Sequence, residues 1–183
     1  MLTPENTHRT LHVFNPSHDE ALAAGTPYYY PSVIARKLAS AWALLPALWA
    51  NNGDVVWVPD DVSTLSIPDW AQHVKLVHQS DLKKAFWETV HEIAPWGWDA
   101  LVRQQLNKAG APQTLLPNDE TLANVRQLSS RNTTALVLPK LRKLLHDQGV
   151  DTVGTSHIAT SLTDVEAFIH AHGEAMAKAL WSC

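Results

Sequence analysis

The sequence predicts an α/β fold, with a parallel sheet over about residues 11–115 and a mainly helical section with short strands after it. Residues 11–14 and 74–77 have strand character, and the apolar run at residues 55–58 is typical of a strand buried in a parallel sheet. Segments with helical spacing or turn residues separate these runs, as crossover connections do. The chain of 183 residues is 45% hydrophobic and 17% charged, which supplies enough apolar material for a core.

The loop after the first predicted strand is rich in polar and ionisable side chains. An Asn-Pro pair ends the strand, because proline lacks an amide donor and restricts the residue before it. In an open α/β sheet this loop lies at the carboxyl edge, where ligands bind. Asn15, His18 and Asp19 are therefore candidate substrate-binding residues, with Glu20 beside them. The alternative is structural: Asn15 and Ser17 form a turn, Asp19 caps the next helix and His18 is solvated.

Three adjacent tyrosines, residues 28–30, precede a helix that is predicted from Ser32 to about Leu45. The tyrosines are expected either to stack on a ligand ring or to fill a gap between a loop and the core. After the second strand, Asp60 and Asp61 resemble an acidic pair that holds a ribose hydroxyl or a metal, although acidic residues after a proline commonly form a turn. No third ligand lies nearby, so no metal site is predicted. Apolar residues recur at helical spacing on one face of the helix: Val33, Ile34, Leu38, Ala41, Leu44 and Leu45.

The third strand leads into a predicted helix over residues 82–93, with Asp81 as its cap. Two tryptophans then flank Gly97, which leaves room for a close backbone approach. These tryptophans are expected to wall a pocket or to pack in the core beneath a loop. A further helix is predicted over residues 100–109, and Gly110 ends it.

The second half of the chain is predicted to be mainly helical. Helices are expected from residue 117, over residues 133–146 and over residues 161–169, the last with a capping box of Thr163 and Glu166. Residues 151–153 are predicted as a short strand. Residues 173–183 also read as a strand, and its apolar edge predicts a homodimer through residues 175–181.

Composition excludes several classes of partner and site. The formal net charge is −4, and the nearest basic cluster, Lys140, Arg142 and Lys143, reads as the solvated side of a helix, so no nucleic-acid partner is predicted. The single cysteine, Cys183, allows neither a disulfide framework nor a cysteine-rich zinc motif. There is no apolar leader and no apolar run long enough to span a bilayer, so we expect a soluble cytoplasmic protein without a membrane partner.

The end of the chain resembles the front of an ATP-grasp domain. A helix that begins Ser-Leu-Thr-Asp-Val-Glu-Ala-Phe is followed by a glycine and by a strand that carries Lys178. In that family the strand lysine touches the nucleotide phosphates, and a basic residue upstream, which we match to Arg131, helps to hold the nucleotide. The motif Asn-Pro-x-His-Asp-x-Ala-Leu-Ala, with Leu-Pro-Ala-Leu-Trp-Ala at residues 45–50, also resembles a group of uncharacterised bacterial ATP-grasp-like proteins.

In those proteins an α/β domain precedes the ATP-grasp unit. The resemblance therefore implies a Rossmann-like, pre-ATP-grasp domain at residues 1–115 and the start of an ATP-grasp-like unit, truncated at its end, at residues 116–183. It implies an N-terminal fragment of an ATP-dependent carboxylate–amine ligase that uses ATP and magnesium. In the family the magnesium ligands lie beyond the point where this chain stops, so the fragment alone is expected to be inactive.

Two alternatives remain open. The first is a small α/β module that binds a ligand or a protein around Asn15, His18 and Asp19, without a nucleotide. The second is a hydrolase that uses His18, Asp19 and a nearby serine, but adjacent loop residues seldom face each other and no Gly-x-Ser-x-Gly pattern is present.

Overall fold

A four-stranded, all-parallel sheet organises the first part of the chain in the computed structural model, which describes residues 9–181. The order across the sheet is β3-β2-β1-β4. The chain divides into two units, residues 1–123 and 124–183, and the sheet belongs to the first. The strands are β1 (Arg9–Val13), β2 (Val55–Trp57), β3 (Lys75–Val77) and β4 (Val90–Pro95).

The α/β prediction is confirmed, and the strands expected at residues 11–14, 55–58 and 74–77 form β1, β2 and β3. Leu11 lies at the centre of the sheet, paired with Val55 on one side and Ile93 on the other, and all three are buried. Val55 belongs to one apolar cluster and its neighbour Val56 to a second. Successive residues of a strand point to opposite faces, so both faces of the sheet are covered. Two-sided burial accounts for the apolar run of β2, whereas β1 contains His12 and the edge strand β3 begins with the exposed Lys75.

Seven α-helices accompany the sheet in the part of the chain from residue 9 to residue 181. The helix predicted over residues 100–109 is confirmed, with Asp99 as its N-cap. Short 3₁₀ turns complete the connections at Leu45–Leu48, Asp69–Ala71, Gln79–Asp81 and Gln113–Leu115. The helices are α1 (His18–Ala24), α2 (Val33–Ala41), α3 (Lys84–Trp87), α4 (Ala100–Lys108), α5 (Asp119–Ser129), α6 (Arg131–Asp147) and α7 (Leu162–His172).

The helix predicted over residues 82–93 is wrong. The segment holds only the one-turn α3 and then β4, which pairs with the free edge of β1. Leu82, Phe86, Val90 and Ile93 are spaced by three or four residues, so the sequence alone fits a helix, and pairing with β1 overrides that pattern. Asp81 does not cap α3, because its carboxylate accepts a hydrogen bond from the His78 amide at 2.9 Å in the capping box of the 3₁₀ turn Gln79–Asp81.

Helix α2 ends earlier than predicted. It stops at Ala41, and a 3₁₀ turn with Pro46 follows, because the residue before a proline is disfavoured in the helical region. Its apolar face is also more exposed than a core helix requires: Ile34 is 79% exposed and Val33 58%. Ala35 is the buried residue of this helix.

The second unit contains α6 and α7, in agreement with the predicted helices, but neither predicted strand. Residues 151–153 and 174–180 have no regular structure. Ser161, rather than Thr163, caps α7 by accepting a hydrogen bond from the Asp164 amide at 3.1 Å, so the predicted capping box is wrong.

The end of the described chain lies against the start of α6. The Arg131 amide donates to the Leu180 carbonyl at 3.1 Å, so this backbone is bonded within the unit and does not extend as a strand. The homodimer through residues 175–181 therefore stays a prediction. The described residues of this segment form no strand on which it could pair. Ser182 and Cys183 lie outside the described residues. None of the helices between residues 9 and 181 is both long and apolar enough to cross a membrane.

A buried ion pair joins β1 to the loop before β2. Asp54 is 5% exposed, and its carboxylate lies 3.1 Å from Nε2 of His12, which is 6% exposed. The carboxylate also accepts hydrogen bonds from the amides of Thr10 at 3.0 Å and Asn51 at 2.8 Å. Burial raises the pKa of Asp54, but the bonds from Thr10, His12 and Asn51 outweigh burial and hold the pKa below its ordinary value.

We expect Asp54→Asn to lower the free energy of unfolding by about 2 kcal/mol at neutral pH, because the new amide faces the Asn51 amide, which then lacks an acceptor. The pKa of Asp54 is lower in the folded than in the unfolded chain. Its contribution is therefore complete above the unfolded value of about 4 and disappears as the pH falls through the folded value. Denaturant unfolding at several pH values measures this difference.

The exposed carboxylate of Glu92, replaced as Glu92→Gln, is the matched control. The gap between the parent protein and Asp54→Asn narrows below about pH 4, while the control stays close to the parent throughout. A gap that is independent of pH contradicts this role of Asp54.

Candidate functional site

Two loops meet at the carboxyl edge of the sheet. One follows β1 and the other follows β4, and these strands are neighbours although they are far apart in sequence. From β1 the strand order continues to β2 and β3 on one side and to β4 on the other. This reversal is a topological switch point, where open α/β sheets form a crevice beyond the carboxyl ends of their strands.

Asn15 connects the two loops. Its side-chain amide donates to the Gly97 carbonyl at 2.8 Å, and its Oδ1 accepts from the Gly97 amide at 3.3 Å. The same amide also lies 3.0 Å from Oδ2 of Asp99. The Asn15 carbonyl accepts from the His18 amide at 3.0 Å, so the turn that was considered as its structural role is present as well.

His18 and Asp99 form a second link between the loops. Nδ1 of His18 lies 3.1 Å from Oδ2 of Asp99, whose side chain is 2% exposed, against 15% for His18. The other oxygen of Asp99 accepts from the Val102 amide at 2.8 Å and thereby caps α4. Asp99 is not among the residues predicted from the sequence. The one signal for it was its position directly before a predicted helix, which is the N-cap position.

The imidazole of His18 lies flat against Gly97. A Cβ atom on residue 97 would come within 2.4 Å of Nε2 and Cδ2 of this ring, closer than real atoms approach. The expected close approach at this glycine is therefore confirmed, and the group that approaches is the His18 ring.

Glu20 fixes the segment that carries the tyrosines. Its carboxylate accepts from the Tyr29 hydroxyl at 2.7 Å and from the amide and hydroxyl of Ser32 at 3.2 and 2.8 Å. The Tyr29 hydroxyl is the main reason that the pKa of Glu20 lies below its ordinary value, and Ser32 adds to the effect against the opposing influence of burial. Ser32 in turn caps α2 by accepting from the Ala35 amide.

A cavity of about 490 Å³ opens beside Asn15. Its wall combines the loop after β1, the tyrosine segment, the end of β2 and one side of α4. Charged groups on the wall are Arg36, Lys108 and Asp60, and the Arg36 guanidinium lies 4.8 Å from the centre of the Tyr30 ring. The cavity therefore offers two cations, one anion and aromatic surface.

The remaining predicted residues lie apart from this cluster. Asp19 is exposed on the first turn of α1, and no contact joins it to Asn15 or His18 within the described chain. Asp61 accepts from the Ser40 hydroxyl at 2.9 Å and so acts in a surface link. No group of three or more metal-ligating side chains is present among residues 9–181.

Arg131 and the segment of Lys178 meet in the second unit. The Arg131 guanidinium donates to the Ala179 carbonyl at 2.6 Å, which places it next to the residue that follows Lys178. Lys178 itself is exposed and lies in irregular chain rather than in a strand. Nucleotide binding by these two residues stays a prediction.

Comparison of the chain with protein-family models, curated proteins and solved structures finds no match.

We expect Gly97→Ala to lower the free energy of unfolding by about 1–3 kcal/mol, because the added methyl group overlaps the His18 ring. The backbone of residue 97 is not in the left-handed region, so alanine is tolerated there apart from this overlap. Denaturant unfolding measures the loss. In a His18→Ala background the same substitution should cost little, and an equal cost in both backgrounds would show that the ring is not what the methyl group meets.

Proposed function

We propose that the first unit is the substrate-binding domain of an ATP-dependent carboxylate–amine ligase of the ATP-grasp-like type, and that the present chain is its N-terminal part. One observation carries the proposal. A partly buried polar cluster, Asn15, His18 and Asp99, lies at the switch point of a parallel sheet, and its Asn15 lines a cavity of about 490 Å³. Such crevices are the usual place for small-molecule ligands in open α/β sheets.

The strand order gives further support to a Rossmann-like domain. The order β3-β2-β1-β4 matches the first four strands in the 3-2-1-4-5-6 order of the doubly wound dinucleotide-binding fold, with β1 beside the crevice. The likeness concerns topology alone, and the first loop here carries Asn-Pro where a dinucleotide site carries glycines. We therefore assign this edge to a substrate rather than to a dinucleotide.

The charges of the cavity favour an acid as the substrate. Arg36 and Lys108 line it against the single carboxylate of Asp60. A guanidinium group matches a carboxylate in geometry and charge. A small carboxylic acid with an apolar body, which would pack on Tyr29 and Tyr30, fits both the charge and the aromatic wall.

The nucleotide belongs to the second unit in this proposal. Arg131 and Lys178 would hold its phosphates, and the bond from Arg131 to the Ala179 carbonyl brings these cations to one end of that unit. When bound, ATP supplies the phosphoryl group that activates the acid. This chain contributes the two cations.

Thermal-shift titration with a panel of small carboxylic acids and amino acids tests the substrate part. Binding to the folded state raises its stability by about 2.7 kcal/mol at a hundred times Kd. We expect at least one acid to shift the parent protein and Lys37→Gln but not Arg36→Gln. Lys37 is the matched control, since it is exposed and adjacent on α2 but does not line the cavity. If no acid shifts the parent, or if Arg36→Gln responds equally, the assignment fails.

A second titration with ATP and magnesium tests the nucleotide part. The parent protein should gain stability at millimolar nucleotide, and Lys178→Ala should lose this gain. Lys140→Ala, which removes an equally exposed cation from α6, should keep it. No shift in the parent, or an equal loss in both variants, would contradict phosphate binding by Lys178 without affecting the substrate assignment.

The alternative of a binding module without a nucleotide also has an observation in its favour. Phe14, Trp96 and Trp49 form a chain of ring contacts, with centroids 5.7 and 6.1 Å apart, and both tryptophans are more than half exposed. Exposed aromatic side chains near a polar cluster suit the recognition of a ligand or a protein. An acid-induced shift without any response to ATP would favour this alternative.

A further inference from the structure

We propose that His18 is a proton acceptor that acts through Nε2, and that Asp99 is the residue that positions it. The proton comes from the ammonium group of the amine that the ligase joins to the acid. The identity of this donor rests on the proposed function, whereas the chemistry of the His18 ring follows from the contacts described above.

The surroundings of Asp99 determine which ring nitrogen of His18 carries hydrogen. Asp99 accepts from the Val102 amide through one oxygen and from the Asn15 amide through the other. A buried carboxylate with two such donors is an acceptor, so Nδ1 of His18, at 3.1 Å, must donate to it. A neutral imidazole has one N–H group, and the lone pair is then on Nε2.

A second histidine–carboxylate pair in the same unit shows what a closed arrangement looks like. In the pair of His12 and Asp54 both side chains are less than a tenth exposed, and Nδ1 of His12 is shut off from solvent without a partner. His18 is about twice as exposed as His12, while its carboxylate is more deeply buried than Asp54. The described part of the chain provides no hydrogen-bond partner for Nε2 of His18, and this side chain keeps 15% of its surface exposed although its ring lies against Gly97.

The proton transfer is balanced within the site. An N–H bond of the ammonium group breaks, its proton bonds to the Nε2 lone pair, and the amine keeps the electron pair it needs as a nucleophile. The positive charge moves from the substrate to the imidazole ring. The ionised Asp99 stabilises that charge and keeps its own negative charge, as the carboxylate of a histidine–aspartate pair does.

The location of the pair is consistent with this role. Asn15 lines the cavity and also donates to Asp99, so the cavity and the pair share one side chain. The loop residues Asn15, Pro16 and Ser17 line the cavity, and His18 follows them directly in the chain. General bases act within hydrogen-bond reach of the proton that they remove.

The first test is the tautomer of His18 in the parent protein, measured by ¹⁵N NMR of the ring nitrogens at about pH 8.5, where imidazoles are mostly neutral. We expect a protonated Nδ1 and an unprotonated Nε2. In Asp99→Ala the acceptor of Nδ1 is removed, so the Nδ1-protonated tautomer is no longer fixed and hydrogen appears on Nε2. Glu92→Gln, which removes an exposed carboxylate from β4, should keep the parent tautomer.

The second test is the reactivity of Nε2 towards diethyl pyrocarbonate, read by mass spectrometry of the peptide that contains His18. The parent protein should be modified at Nε2, and Asp99→Ala should react more slowly at this nitrogen, because its Nε2 carries hydrogen in part of the molecules. If the His18–Asp99 pair is only structural, the variant should lose the same stability, but the rate of His18 modification should not follow the tautomer of its ring. These measurements require neither ATP nor a substrate, so they can fail while the ligand titrations succeed.

The proposal is overturned if Nε2 is protonated in the parent protein, or if His18 is unreactive there. The parent measurements suffice for this decision even if Asp99→Ala does not fold.

Discussion

The buried carboxylate of Asp99 links the start of α4 to the segment that follows β1, at the carboxyl edge of the sheet. It caps α4 through the Val102 amide, accepts from Asn15 in the loop after β1, and pairs with His18 at the start of α1. A buried charge is costly unless hydrogen bonds compensate for it. The burial of the Asp99 carboxylate therefore requires these three donors. The position of His18 is therefore determined by the fold and not by its own helix, which has only seven residues.

Asp54 forms the corresponding pair with His12 of β1. The fold thus contains two histidine–carboxylate pairs with different surroundings. Both carboxylates are buried and both contact a histidine at 3.1 Å. Around Asp54 the donors come from the backbone of Thr10 and Asn51, and the histidine is enclosed. At Asp99 the missing side chain of Gly97 provides the space in which the His18 ring lies. The packing around Asp54 encloses His12, whereas the packing around Asp99 leaves 15% of the His18 side chain exposed.

The sequence predicted the parts of this arrangement that depend on local chemistry. Strands β1 to β3 were found because each is a short run of strand-forming residues, and β2, buried on both faces, is apolar throughout. Strand β4 was not found, because Leu82, Phe86 and Ile93 fit helical spacing and the pairing with β1 is decided by residues some eighty positions away. The cavity wall of Tyr29 and Arg36 is a tertiary feature of the same kind.

The candidate site was half predicted for the same reason. Asn15 and His18 stood out because they share one loop, but the acid next to His18 in sequence is Asp19, and successive residues of a helix do not face each other. The carboxylate that contacts His18 is Asp99, brought there by β4 and by the N-terminus of α4. Because Asn15 both lines the cavity and donates to Asp99, a ligand that pulls on its amide changes the set of donors around that carboxylate. The lining of the cavity and the His18–Asp99 pair therefore share one side chain, which couples the geometry of the pair to the contents of the cavity.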